Sequence, residues 1–201
     1  MKTAALILIA GLASVASAQS ATVNLTHDDA DGLIMIGDSV TWTMTVSFSG
    51  FAGDPVAGGG NMSIGGNNAV GTSSAMTYTP TNGGNNGGTS NGAGIGFVNW
   101  TNSLFLEAFN PGSTADRSNP FVVGTFSFTA GAEGVLSYAI TKGQASSAFV
   151  SVASSAFAET LYADTNAAGL TIQVQDLNIV PSPASAALLG LGGLVAIRRR
   201  R

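Results

Sequence analysis

His27 is the sole histidine of the 201-residue chain, and Asp28, Asp29, Asp31 and Gly32 follow it closely. Imidazoles and clustered carboxylates are the side chains that hold metal ions or move protons. A His-based zinc site or a Ser–His–Asp triad would have to use this one imidazole. No Gly-x-Ser-x-Gly elbow surrounds any serine. The acidic turn offers oxygens to Ca²⁺, with Asp28, Asp29 and Asp31 as candidate ligands. It lacks the twelfth-position Glu of an EF-hand loop, and a plain Asp/Gly turn is the simpler reading. Glycosidase chemistry needs two carboxylates across a cleft. Glu107, Glu133 and Glu159 are available, Glu107 mid-strand and Glu133 in a turn, and nothing in their spacing marks a pair. The chain has no cysteine, which excludes disulfides, thiolate metal sites and Cys nucleophiles. Glycine-rich stretches are not followed by Gly-Lys-Ser/Thr, so phosphate cradling has no support. The expectation is a non-enzyme without a cofactor, Ca²⁺ at the acidic turn being the one candidate.

Binding chemistry has a few more candidates. Aromatic side chains recognise glycans when exposed. Trp42 shares the apolar face of its segment and reads as core, whereas Trp100 sits at a strand end. Asn24-Leu25-Thr26, Asn61-Met62-Ser63 and Asn99-Trp100-Thr101 are sequons that permit glycosylation at Asn24, Asn61 and Asn99. Chance in a Thr/Ser/Asn-rich chain explains them equally well.

These residues must be positioned by β-structure. From Ser39 to Ser49 the chain alternates strictly, with Val40, Trp42, Met44, Val46 and Phe48 on one face and Ser and Thr on the other. Period 2 over that length predicts a strand with one buried face. Gly50-Phe51-Ala52-Gly53-Asp54-Pro55 ends it. Leu170, Ile172 and Val174 alternate with Thr171, Gln173 and Gln175. Phe121–Thr129 and Val135–Thr141 read as a hairpin across Ala130–Gly134. Weaker strand signals cover Thr22–Thr26, Leu33–Ile36, Ile95–Trp100, Leu104–Phe109 and Ala148–Ala153, and Ala153–Ala163 reads as one short helix. Asn82–Gly94 is a low-complexity Asn/Gly tract, expected as a flexible, solvated insertion between strands. Short strands separated by Gly, Asn and Ser turns predict an all-β, antiparallel β-sandwich.

Only 9% of the residues are charged, against a usual share of about 25%. All eleven acidic residues lie between Lys2 and Arg198, where Arg117 and Lys142 are the only cations. So acidic a body argues against nucleic acid as a partner, because phosphate binding needs clustered Lys and Arg.

Both ends read as addresses. Lys2 precedes the apolar run Ala4–Leu12, and Ala16-Ser17-Ala18 fits a small-x-small cleavage site. The mature chain is expected to begin at Gln19, after a signal peptide over residues 1–18. The other end reads Pro181-Ser182-Pro183, an uncharged segment Ala184–Ile197, then Arg198, Arg199, Arg200 and Arg201. As a helix the uncharged segment would reach about 21 Å against a hydrocarbon core of about 30 Å. The arginines would stay on the cytoplasmic side and snorkel. The prediction is a C-terminal hydrophobic helix that stops transiently in the membrane.

That order of Pro-x-Pro, a Leu/Gly/Ala-rich stretch and a closing Arg run resembles the PEP-CTERM sorting signal, over residues 181–201 alone. Ser182 stands where the family usually has Glu. The resemblance implies recognition by an exosortase, a membrane transpeptidase-like enzyme, with cutting near Pro181–Pro183 and placement in the envelope or exopolysaccharide matrix. In the body, Gly37-Asp38-Ser39-Val40-Thr41-Trp42-Thr43-Met44-Thr45-Val46 and Gly124-Thr125-Phe126-Ser127-Phe128 are loosely similar to strands of cohesin-like sandwiches. The expected organisation is a signal peptide (1–18), an extracellular sandwich (19–179) and a sorting or anchor segment (180–201). The expected function is that of a non-enzymatic exported envelope or matrix protein. The alternative is a cohesin-like or carbohydrate-binding module of the cell surface.

Overall fold

The computed structural model describes residues 18–79 and 82–183. Its first strands are β1 (Ser20–His27), β2 (Leu33–Met35), β3 (Ser39–Ser49) and β4 (Val56–Gly65). Short strands β5 (Gly71–Ser73), β6 (Thr77–Tyr78), β7 (Asn86–Gly87) and β8 (Ser90–Asn91) lead into β9 (Gly94–Thr101) and the helix α1 (Leu104–Phe109). Then come β10 (Phe121–Ala130), β11 (Gly134–Ser137), β12 (Ala139–Lys142) and β13 (Val150–Ser155). The last are β14 (Ala158–Tyr162), β15 (Leu170–Val174) and β16 (Asp176–Val180). Most of the predicted signal peptide, including Ala16, lies outside the described residues. So do the predicted hydrophobic helix and Arg198–Arg201.

The strands make an all-β sandwich. One sheet runs β15-β1-β3-β10-β5, with β6 on β10; the opposing one runs β14-β13-β4-β9-β7, with β12 on β4 and β8 on β9. A small third sheet is β11-β16-β2. Pairing is antiparallel except for β1 with β15 and β16 with β2, which are parallel. The long alternating segment is β3, at the centre of its sheet, and its five apolar residues are all buried. Trp42 and Trp100 are both in the core, and Trp100 stacks on Phe121 across the two sheets at 5.1 Å.

Three predicted elements differ. Leu104–Phe109 is a helix, because Ser103 caps it by accepting a hydrogen bond from Leu106 N at 3.3 Å. Ala153–Ala163 is no helix: β13 and β14 form a hairpin, and β13 pairs with β4. Phe121–Thr129 and Val135–Thr141 form no hairpin. Gly134 takes φ +145°, and the chain leaves β10 for the third sheet (β11) and then the second (β12). The Asn/Gly tract is partly ordered by pairing, since β7 and β8 add to β9.

The ends of the described chain lie at opposite ends of the sandwich. Ser20 pairs with Ser49 at the last residue of β3. Val180 O accepts from Ile36 N beside the start of β3. Eleven residues of strand separate these points by roughly 35 Å.

Candidate protein-binding surface

At the β1/β3-terminus end, near Gln19, the chain exposes what it elsewhere hides. Gly50 (φ +79°) and Gly53 (φ +81°) turn the backbone sharply after β3, in a region of φ that favours glycine. This brings Asp54 towards α1. The helix is fixed to the β4 sheet by one buried side chain, Leu104, which packs in a small cluster with Val56, Ala115 and Ala153. Asn82 clamps the residue before it, donating to Ser103 O and accepting from Ser103 N, both at 2.6 Å. Asn102, fully buried, holds the following loop through Asp116 N (2.9 Å) and Asp116 O (2.7 Å).

With Leu104 turned inward, Phe105 and Phe109 are turned outward, 51% and 61% exposed. They are one helical turn apart, with ring centroids 4.7 Å apart. Phe157, at the tip of the β13–β14 hairpin, is 80% exposed and lies 6.0 Å from Phe105 and 5.7 Å from Phe109. Leu161 on β14 is exposed as well. Beside this cluster runs a trough formed by two adjoining concavities of about 280 and 310 Å³, which share Gly58, Thr101 and Glu159. Gly58, Gly59, Ser151 and Ala153 supply small side chains to its surface. A Cβ on Gly58 would sit 2.9 Å from the Glu159 carboxylate, so glycine keeps the trough open there.

Charge at this end is arranged around Arg117. Its guanidinium donates to both carboxylate oxygens of Glu107 (3.0 and 2.8 Å) and also pairs with Asp54. The Arg117 fork and the Ala115 N–H hold the Glu107 carboxyl below its ordinary value, and the bonds to Glu107 and Asp54 raise the guanidinium. Glu107 is therefore a helix residue engaged in an ion pair, not a mid-strand acid. Glu159 lies on the trough and pairs with no cation among the described residues, and Glu133 is exposed in the turn before β11.

The remaining candidates are elsewhere. Asp28 accepts from Thr41 N at 2.9 Å, and Asp29 and Asp31 both accept from Leu33 N, at 3.0 and 3.1 Å. These carboxylates shape the β1–β2 turn, and no group of three His, Asp or Glu among the described residues is placed to hold a metal ion. His27 is at the end of β1, edge-on to Trp42 at 4.8 Å, with Nε2 3.2 Å from Asp176 O. Asn24 is half-buried on β1. Asn61 is buried: its oxygen accepts from Gln144 N at 2.6 Å and its Nδ2 lies 3.5 Å from Asn99 Oδ1, which leaves a glycan no room there. Trp100 is too deep to serve as a glycan platform. Pro181 and Pro183 are exposed and Ser182 half-buried after β16; Ala18 and Gln19 are exposed before β1. The exposed phenylalanines were not singled out from sequence. The signal was the cap residue Ser103 before an i, i+4 Phe pair.

No protein-family model matches the chain, and no curated protein does. Solved cohesin modules are similar in outline. The second type II cohesin module of the ScaA scaffoldin of Acetivibrio cellulolyticus superposes with a TM-score of 0.49 at 10% identity, covering 82% of this chain and 98% of that one. A type II cohesin–X-dockerin complex from the same organism gives 0.48 at 8% identity, covering 80% and 100%. A cohesin module of a family 33 glycoside hydrolase from Clostridium perfringens gives 0.39 at 10% identity, covering 76% and 98%. The sandwich assignment itself rests on the pairing and burial described above. No helix among the described residues is long and apolar enough to cross a membrane.

Proposed function

We propose that this chain is an exported, non-catalytic surface module that works by binding another protein through the α1/β14 end. The observation that carries this is the grouping of Phe105, Phe109 and Phe157 in mutual contact and open to solvent. Scattered exposed apolar residues are ordinary, whereas a contiguous patch beside a trough is the mark of an interaction site. A protein partner, as in the cohesin-like reading, is preferred to a polysaccharide, because Trp100 belongs to the core.

In the same proposal the N-terminal segment directs export, and the PEP-CTERM-like tail holds the protein at the membrane until an exosortase-type enzyme processes it near Pro181–Pro183. Placement in the exopolysaccharide matrix would follow. The exit of the chain opposite the phenylalanines supports this division of labour. A bilayer at the tail would leave the aromatic end facing outward, and exposed Leu33, Met35 and Val135 lie beside the exit.

The test is site-specific photo-crosslinking in the native host, with the crosslinker at position 157 or, as control, at exposed Thr171 on β15. A discrete protein adduct at 157 and none at 171 is expected; equal labelling or none would sink the reading. Intact mass of the same material checks the ends. A species from Gln19 to near Pro181–Pro183 is expected, and one retaining Arg201 in membranes would make the tail a plain anchor.

A further inference from the structure

The partner's chemistry can be taken further, on the basis of the protein-binding reading above. Glu159 lines the trough, and Asp54 and Glu107 line an adjoining concavity that shares Leu104, Ser155 and Ala156 with it, three carboxylates against the single guanidinium of Arg117. The rim is net negative, and so is the body behind it. Two such bodies repel, which disfavours a second copy as occupant. Area disfavours it too. Phe side chains present roughly 150–250 Å² each, so three of them at 51–80% exposure plus Leu161 offer on the order of 400–500 Å². A stable dimer needs about 800 Å² per partner. The trough is two adjoining concavities open to solvent instead, with Gly58 and Gly59 removing side chains from its surface.

We infer that the Phe105–Phe109–Phe157 cluster and the adjoining trough bind a single segment of a partner protein, one that carries apolar side chains next to Lys or Arg. The apolar side chains cover the rings. The cations meet Glu159 at one side and the Asp54–Glu107 pair, which Arg117 only partly neutralises, at the other. A peptide of this kind also meets the requirement that apolar contact supply affinity while charge supplies on-rate and discrimination.

The experiment uses the full chain in nanodiscs, isotope-labelled, and three synthetic peptides of equal length: Leu/Lys, Leu/Glu and Ser/Lys. Binding of the Leu/Lys peptide is expected, with amide shifts confined to residues 58–60, 103–109 and 151–161. Phe157→Ser and Phe105→Ser should each weaken it about tenfold or more, as for a central apolar contact. All three rings are exposed, so both variants should melt with the parent protein. The Leu/Glu peptide should bind at least about tenfold more weakly, and Ser/Lys should not engage the cluster. Shifts spread over the acidic body, or Leu/Lys affinity unchanged in Phe157→Ser, would overturn the inference as plain charge attraction. Equal binding of Leu/Glu at the same residues would overturn the charge preference while leaving the protein-binding reading intact. Failure of all three peptides together with no adduct at position 157 would remove both.

Discussion

The sheet built on β3 and the corner built on α1 use similar residues to opposite ends. Along β3 every apolar side chain is inward and every Ser or Thr outward, and β1 and β10 cover both edges. Its residues are committed to the core. In the corner, one leucine is enough to attach the helix, and two phenylalanines plus a third from the hairpin tip are left facing water. On the proposed reading such a patch costs solubility without adding to the core, and the difference would separate residues that serve stability from residues that serve contact. Substitution should therefore divide the two regions: heavy losses of stability from the core, none from the exposed rings.

Trp100 marks the core extreme. It is 1% exposed and stacked on Phe121 across the sheets. Trp100→Ala should cost about 3–5 kcal/mol, a large part of a domain's stability. Urea melts followed by circular dichroism would measure it; a loss under about 1 kcal/mol would mean that the two sheets are not joined as described. Gly60 gives a smaller effect by overpacking. A Cβ there would come within 2.6 Å of Trp100 Nε1 and 3.1 Å of Phe149 O. The indole is locked by its stacking and the carbonyl is backbone, so Gly60→Ala should cost about 1–3 kcal/mol, measured by the same melts.

The sequence was unequally legible across this divide. Period-2 alternation located β3 and β15 because each has one solvated face, and Trp42 was readable as core from its place in that pattern. Local patterns failed where distant partners decide. Leu104–Phe109 is a short apolar run that passes for a weak strand, but Asn82 and Ser103 supply a helix start. Ala153–Ala163 is rich in helix formers, yet β13 pairs with β4. Val135–Thr141 was given the wrong neighbours, since β11 pairs with β16 and β12 with β4. Asp28, Asp29 and Asp31 lie in the turn after β1, where they accept from the Thr41 and Leu33 amides. Glu107 could not be tied to Arg117 or Asp54 from spacing alone, since the latter pair is brought together by the turn after β3.

That ion pair sets a pH-dependent prediction between the two extremes. Arg117 and the Ala115 N–H depress the Glu107 carboxyl below its ordinary value near 4.5. A depressed folded-state value contributes stability that is present above the unfolded value and lost as pH falls through the folded one. The melting temperature of Glu107→Gln should thus lie below that of the parent at neutral pH. The difference should close in acid, below the ordinary carboxylate range. A gap constant down to the most acidic readable pH would mean that Glu107 is not held as an anion by this clamp. The exposed clamp is screened by solvent, so the gap should be small and should shrink further in high salt.

The smallest stability effect is the most informative about function. Phe157 is 80% exposed at a hairpin tip, and the two rings it meets are themselves exposed. Phe157→Ser removes apolar surface that folding does not bury, so ΔΔG should fall within about 0.5 kcal/mol of zero. Solubility should rise, because the patch has lost its most prominent member. Thermal melts and a precipitation titration of parent and variant read the two quantities separately. If the variant melts like the parent and stays in solution longer, the ring serves contact and the comparison between sheet and corner stands. If it loses stability as a core residue would, the cluster is a satellite core, and the division drawn here between the two regions fails at its clearest point.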